Sequence, residues 1–106
     1  MNPTGSAPLV PQSGRLAFGA ITATTPATAN LLLTCNTAKR AITILNSCDN
    51  PITLTLNGVN WIVLEEKTVL WFDIETWGKQ LMSGDVLGAY NNGLAPTVGS
   101  IRVTVH

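Results

Sequence analysis

The feature that most constrains the fold of this chain is the dipeptide Asn57-Gly58, which separates two runs of alternating apolar residues. A two-residue turn of type I′ needs positive φ at both central residues, and Asn and Gly adopt that conformation at the lowest cost. The dipeptide therefore predicts a β-hairpin between residues 51–56 and 59–64. The turn length also fixes the register and predicts three apolar cross-strand pairs. These pairs are Leu56 with Val59, Leu54 with Trp61, and Ile52 with Val63.

A second hairpin is predicted across residues 65–68, where Glu-Glu-Lys-Thr precedes another apolar run. The predicted pairs are Leu64 with Val69, Val63 with Leu70, Trp61 with Phe72, and Val59 with Ile74. Together the two hairpins make residues 51–75 a three-stranded sheet whose registers agree on one apolar, core-facing side. The residues of that side are Ile52, Leu54, Leu56, Val59, Trp61, Val63, Leu70, Phe72 and Ile74.

The opposite face of this predicted sheet is only half polar. Next to the second turn it carries four apolar residues, Ile62, Leu64, Val69 and Trp71. A contiguous exposed apolar patch usually marks a contact with another chain, so these four are candidate interaction residues. The alternative is that another part of the same chain covers them.

Residues 1–14 contain Pro, Gly and small polar residues and predict an extended N-terminal arm, which precedes one β-sandwich domain over residues 15–106. Leu9 and Val10 give the arm an apolar anchor and complete the set of candidate interaction residues. Two interpretations remain open: an arm without fixed structure, or an arm that reaches to a neighbouring subunit.

Further short strands are predicted on both sides of the central stretch. They cover residues 15–23, 30–34, 40–46, 86–90 and 98–106. Seven or eight short strands separated by turn signals are typical of an all-β fold. The expected architecture is an antiparallel β-sandwich that is jelly-roll-like.

Charged side chains are scarce and balanced, at 11% of the chain with six Lys and Arg against six Asp and Glu. Nucleic-acid binding depends on neutralising phosphates, so this composition argues against it. A neutral chain also lacks the repulsion that keeps proteins apart, which favours self-association or docking. We find neither a secretory signal nor an apolar run long enough to cross a membrane.

The two cysteines, Cys35 and Cys48, lie on either side of the predicted strand at residues 40–46. A strand of that length separates its ends by about 20 Å, which is far beyond the reach of a disulfide. We therefore expect two free thiols, which fits synthesis in a reducing cytoplasm.

The residues that carry chemistry are few, and we expect no enzyme activity, cofactor or metal. The one histidine, His106, is the last residue, where a frayed end would not hold a general base in place. Asp73 and Glu75 share one face of a predicted strand about 7 Å apart, which suits an acid–base pair or a calcium ligand pair. Alternating carboxylates on a solvated face are ordinary, however, and discourage edge aggregation.

Aromatic residues offer a different possibility, a platform for sugars. Trp61, Trp71, Trp77 and Tyr90 are the candidates. The predicted register assigns Trp61 to the core, which leaves Trp71 and Trp77 for contact with a sugar or with another protein.

Four segments within residues 40–106 resemble small jelly-roll proteins that tailed bacteriophages carry on their virions, especially capsid decoration (cement) proteins. The segments are ITILNSCDNPITLTLNG, VLWFDIE, GDVLGAYNNG and APTVGSIRVTV. The resemblance implies a non-enzymatic protein that binds the outer capsid surface, often as a trimer, and reinforces contacts between major capsid subunits. A phage tail or fibre module and a small carbohydrate-binding module are the alternatives.

Overall fold

The computed structural model of the protein describes residues 11–73 and 80–106. This part of the chain contains eight β-strands and two short 3₁₀ helices. The strands are β1 (Gln12–Ala17), β2 (Asn30–Thr34), β3 (Ala41–Asn46), β4 (Ile52–Leu56), β5 (Val59–Leu64), β6 (Thr68–Asp73), β7 (Val86–Tyr90) and β8 (Ser100–Val105). The helices, η1 (Phe18–Ala20) and η2 (Pro26–Thr28), both lie between β1 and β2. The first strand thus begins within the predicted arm, three residues before its predicted start at Arg15.

The strands form two antiparallel sheets, which confirms the predicted all-β sandwich. Sheet A has the order β1-β8-β3-β6, and sheet B has the order β2-β7-β4-β5. The pairs are nested, because β4 pairs with β5, β3 with β6, β2 with β7 and β1 with β8. The chain is therefore one long hairpin rolled into two sheets, which is the jelly-roll arrangement. Its centre is the Asn57-Gly58 turn, where φ is 52° and 82°.

The predicted hairpin between β5 and β6 is wrong. β5 is an edge strand of sheet B, whereas β6 pairs with β3 at the edge of sheet A. The segment after Leu64 therefore crosses from one sheet to the other, with Lys67 at φ 51°. The sequence pattern of two amphipathic strands joined by a short turn fits both a hairpin and a crossing between sheets. In both arrangements the apolar sides of β5 and β6 face the same core.

The buried side chain of Asn46, at the end of β3, holds the start of this crossing segment. Its Oδ1 accepts a hydrogen bond of 2.9 Å from the amide of Cys48. Its Nδ2 donates to three main-chain oxygens, those of Asn50, Leu64 and Glu65, at 3.1–3.2 Å. Buried carbonyls need such partners, so Asn46 fixes the place where the chain leaves sheet B.

A β-bulge changes the predicted register of the first hairpin. Leu56 pairs with Val59 as predicted, but the register shifts between Leu54 and Thr55, so that Trp61 becomes the extra residue. Beyond the bulge the pairs are Leu54 with Ile62, Thr53 with Val63, and Ile52 with Leu64. The predicted pairs of Leu54 with Trp61 and of Ile52 with Val63 are therefore wrong, because a one-residue slip exchanges the two faces of a strand.

The predicted core face is consequently confirmed only in part. Ile52, Leu54 and Leu56 are buried, and Trp61, Leu70 and Phe72 pack half-buried against the core. Val59 and Val63, however, are exposed. Ile74 lies outside the described residues.

The centre of the outer face of sheet B is covered by the protein's own loops. Thr53 and Thr55 point away from the core but are only 2% exposed. Asn92 Nδ2 donates to Thr53 Oγ1 at 2.8 Å, and helix η2 packs over the neighbouring strands β5 and β7. A Cβ on Gly88 of β7 would lie 3.0 Å from Ala29 Cβ, so glycine permits this close cover. In the described part of the chain no helix is long and apolar enough to cross a membrane.

Candidate association surface

The outer face of sheet A carries exposed apolar side chains on its paired strands β3 and β6. Leu45 of β3 lies directly opposite Val69 of β6, and Thr43 lies opposite Trp71. Leu45, Val69 and Trp71 are 37%, 63% and 64% exposed, and we call these three residues the Trp71 patch. The patch arises because Leu70 and Phe72 alternate with its residues along β6 and point into the core.

The candidate residues predicted from the sequence do not form one surface. Ile62 and Leu64 are 8% and 2% exposed and belong to the core of sheet B, because the bulge turns them inward. Val69 and Trp71 are exposed, as predicted, but on sheet A. The predicted patch of four residues is therefore wrong as a unit. Leu9 and Val10 lie outside the described residues.

Leu45 replaces the two buried residues as a partner for Val69 and Trp71. Leu45 was not among the predicted residues, because the pairing of β3 with β6 was not predicted. The available signal is the alternation in β3, where Ala41, Thr43 and Leu45 share the face opposite to the buried Ile42 and Ile44. Alternation identifies an outward residue, but it does not identify the neighbouring strand.

Two arginines lie on the same outer face, beside the Trp71 patch. Arg15 of β1 is directly opposite Arg102 of β8, and Arg102 is in turn opposite Leu45. Both arginine side chains are exposed. Arg15 Nε donates to Ser100 Oγ at 3.3 Å, and no carboxylate within the described ranges forms an ion pair with either guanidinium. We call Arg15 and Arg102 the arginine pair.

The open side of the sandwich, between edge strands β5 and β6, is also partly apolar. Trp61 and Phe72 meet there edge to face, with ring centroids 6.1 Å apart. Trp61 Nε1 is buried and has no hydrogen-bond partner among the described residues. Val59 and Val63 of β5 are 67% and 60% exposed nearby on the same strand. Val63 lies directly opposite Thr53 on the outer face of sheet B, so it is not part of the Trp71 patch on sheet A.

The described structure bears on only one of the two carboxylates that were considered for catalysis. Asp73 is exposed at the end of β6, and Glu75 lies outside the described residues. Across residues 11–73 and 80–106, no three His, Cys, Asp or Glu side chains form a group that could hold a metal ion.

The expectation that the chain frays at His106 is wrong. The His106 amide donates to the Ala41 carbonyl at 2.9 Å. The His106 main-chain oxygen accepts from the amides of Arg40 and Ala41, at 2.6 and 3.2 Å. The backbone of His106 is therefore fixed against the start of β3.

The aromatic residues do not form a shared platform in the described structure. Tyr90 is 5% exposed, and its hydroxyl donates to Asn60 Oδ1 at 2.5 Å. Trp61 packs against the core, as predicted, while Trp71 is exposed on sheet A. Trp77 lies outside the described residues. A sugar that stacked on Trp71 would therefore meet it together with Leu45 and Val69.

Cys35 and Cys48 are both buried and free, as predicted. Burial raises the pKa of the Cys35 thiol above its ordinary value, and Asp85 raises it further. Burial and the nearby Asp49 likewise raise the pKa of Cys48. Both groups stay protonated at neutral pH, which makes them poor nucleophiles.

Comparison of the chain with protein-family models, with curated proteins and with solved structures found no match.

Proposed function

We propose that this protein is a non-enzymatic virion structural protein, a capsid decoration (cement) protein that binds the outer surface of a capsid. The Trp71 patch carries the proposal, because it sets an exposed tryptophan beside two exposed aliphatic side chains on paired strands. The partner is the major capsid protein, and the protein stabilises contacts between its subunits. Synthesis takes place in the host cytoplasm, and no cofactor takes part.

The physical character of the patch supports docking to another protein. A tryptophan buries about 150–250 Å² when it is fully covered, so the exposed Trp71 alone presents on the order of 100 Å². Tryptophan is also enriched among the residues that dominate binding energy at protein interfaces. Leu45 and Val69 extend this apolar area across the two neighbouring strands.

The fold supports the proposal more weakly. Jelly rolls are frequent among viral capsid domains, but they also occur in lectins, so the fold alone does not identify the function. The sequence resemblance over residues 40–106 directs the choice toward the virion. The same resemblance leads us to propose a closed homo-oligomer, with a trimer as the expected form.

The experiment is a co-sedimentation assay with shells assembled from the major capsid protein that the same genome encodes. Trp71→Thr keeps a residue suited to a strand but removes the aromatic surface, and we expect its affinity for the shells to fall by about thirtyfold. Val69→Thr should weaken binding by a smaller factor. Binding that is unchanged in both variants would contradict the proposal.

The matched control is Val63→Thr. Val63 is 60% exposed, nearly the same as Val69 at 63%, but it lies on sheet B. We expect this variant to bind shells like the unmodified protein. Light scattering of the free protein over a range of concentrations then determines whether a trimer forms without the shell.

A carbohydrate-binding module is the second candidate, because Trp71 is an exposed aromatic residue on a fold that lectins also use. Its test is the tryptophan fluorescence of the protein during titration with a panel of glycans. A saturable change that is lost in Trp71→Thr would favour sugar binding. Binding to purified phage tails rather than shells would instead favour a tail or fibre module.

A further inference from the structure

The arginine pair is unfavourable for the isolated fold and therefore calls for an explanation. Arg15 and Arg102 occupy directly opposite positions on β1 and β8. Like charges at such positions have Cβ atoms only about 5 Å apart and destabilise a sheet. Within the described residues neither arginine forms an ion pair that would relieve this repulsion.

Hydroxyl groups surround the arginine pair and form a shallow polar groove on β1 and β8. Ser13 Oγ lies 3.2 Å from Thr104 Oγ1, and these two residues line the groove with Gly14 and both arginines. Two guanidinium groups beside hydroxyl donors match the needs of an oxyanion, because arginine forms paired, charge-assisted hydrogen bonds with it.

The arginine pair continues directly into the Trp71 patch. Across the sheet, the register places Arg15, Arg102, Leu45 and Val69 in one row. With strands about 4.8 Å apart, this row spans about 14 Å. It changes from two cationic residues to two apolar residues, so a ligand that crossed the strands would meet both kinds of surface.

The charge of this row limits the classes of partner that it can bind. A second copy of the same face would either bring four guanidinium groups together or set each arginine pair against Leu45 and Val69 of the other copy, and neither contact pairs the arginines with opposite charge. Nucleic acid needs many phosphate contacts, whereas the whole chain has six Lys and Arg, balanced by six Asp and Glu. A protein segment with carboxylates next to apolar side chains complements the row in both of its halves.

We propose that the arginine pair binds carboxylates of an acidic and apolar segment of a partner protein, whose apolar side chains pack on Leu45 and Val69. This inference rests on the proposed docking function and specifies the chemistry of the partner surface. Each arginine donates to a carboxylate, and the ligand removes the repulsion that the free protein carries.

The test uses two terminally blocked peptides, one with two glutamates flanked by leucines and one with glutamines in their place. Calorimetry at low ionic strength measures both affinities, and the arginine Nε–Hε NMR signals report which side chains respond. We expect the glutamate peptide to bind about tenfold more tightly than the glutamine peptide. The Nε–Hε signals of Arg15 and Arg102 should shift with the glutamate peptide.

Replacing both arginines by Arg15→Gln and Arg102→Gln should abolish this tenfold difference. Both residues are exposed, so the variant is expected to keep its circular dichroism spectrum. Arg40→Gln is the matched control, since it also removes an exposed arginine but outside the groove, and it should keep the difference. A difference that persists in the double variant would overturn the inference.

Two further results separate this inference from the proposed function. Tighter binding of a single-stranded oligonucleotide than of the glutamate peptide would overturn the carboxylate assignment. Shell binding that survives in the double variant would overturn the inference and leave the docking function intact. A glutamate preference without any shell binding would uphold the arginine pair as a carboxylate site and contradict the docking function.

Discussion

Asp49 connects the turn after β3 to the segment that leads into β8. Its carboxylate accepts hydrogen bonds from the Thr97 hydroxyl, from the Thr97 amide at 2.8 Å and from the Val98 amide at 3.4 Å. The bond from the Thr97 hydroxyl contributes most to holding the pKa of Asp49 below its ordinary value. Because these donors favour the ionised form, the carboxylate stabilises the fold only while it is deprotonated.

This arrangement predicts a pH dependence of stability. The pKa of Asp49 is lower in the folded protein than in the unfolded chain, where it is about 3.9. Ionised Asp49 therefore stabilises the fold above the unfolded pKa, and this stabilisation is lost as pH falls through the folded pKa. The urea midpoint should therefore fall between about pH 5 and pH 2, and Asp49→Asn should flatten this dependence. Unfolding curves recorded across that range measure the effect.

Two further variants test the cause. Thr97→Val removes the hydroxyl that contributes most and should flatten the curve in part. Glu66→Gln, at an exposed turn residue, should leave the slope unchanged. An Asp49→Asn curve that parallels the unmodified one would show that other carboxylates cause the acid sensitivity.

At the scale of single elements, the packing of edge strand β1 of sheet A against edge strand β2 of sheet B depends on one glycine. Edge strands β1 and β2 approach each other so closely that a Cβ on Gly14 would lie 2.0 Å from the Leu32 carbonyl oxygen and 3.1 Å from Leu33 Cβ. The Gln12 side chain reinforces this side, since it donates to the Thr34 carbonyl and accepts from the Asn36 amide. The two sheets therefore lie so close together at Gly14 that no side chain fits between them.

We accordingly predict that Gly14→Ala lowers the free energy of unfolding by about 3 kcal/mol, because the added methyl group forces β1 away from β2. Urea unfolding at neutral pH measures the loss. Gly19→Ala in η1 is the matched control, because nothing lies within 4 Å of its added Cβ. That variant should change stability by less than about 0.5 kcal/mol. Equal effects of the two substitutions would refute the steric explanation.

Individual elements were largely predictable from the sequence, and their irregularities were not. Asn57-Gly58 identified its turn because few residue types tolerate positive φ at both positions. The bulge at Trp61 was hidden, because Trp61, Ile62, Val63 and Leu64 are all apolar and fit either register. The patch prediction failed for this reason, since the slip buried Ile62 and Leu64.

At the scale of the whole molecule, the sequence predicted the class of fold but not its strand pairs. Alternation shows which side of a strand is apolar, whereas the neighbour of each strand depends on contacts far apart in the chain. Arg15 and Arg102 are 87 residues apart in sequence yet directly opposite each other. Their juxtaposition, and with it the proposed carboxylate site, follows from the pairing of β1 with β8.

The same long-range pairing predicts how the protein folds. Sheet A contains β1, β3, β6 and β8, and sheet B contains the strands between them, so neither sheet is a continuous part of the chain. Neither sheet can therefore form from one continuous segment, and we expect the whole protein to unfold in one cooperative transition. Because β1 and β8 pair over the longest loop in the fold, folding should take milliseconds to seconds.

The test uses a variant with Trp71→Phe and Trp77→Phe, which leaves Trp61 as the sole fluorophore among the three tryptophans. Trp61 contacts Phe72 across the two sheets, so its emission reports their packing, whereas far-ultraviolet circular dichroism reports the strands. The two signals should give the same urea midpoint, and stopped-flow refolding should give one main phase. Loss of the Trp61 signal at lower urea than the circular dichroism signal would mean that the sheets separate before they unfold, and the molecule would then not be a single cooperative unit.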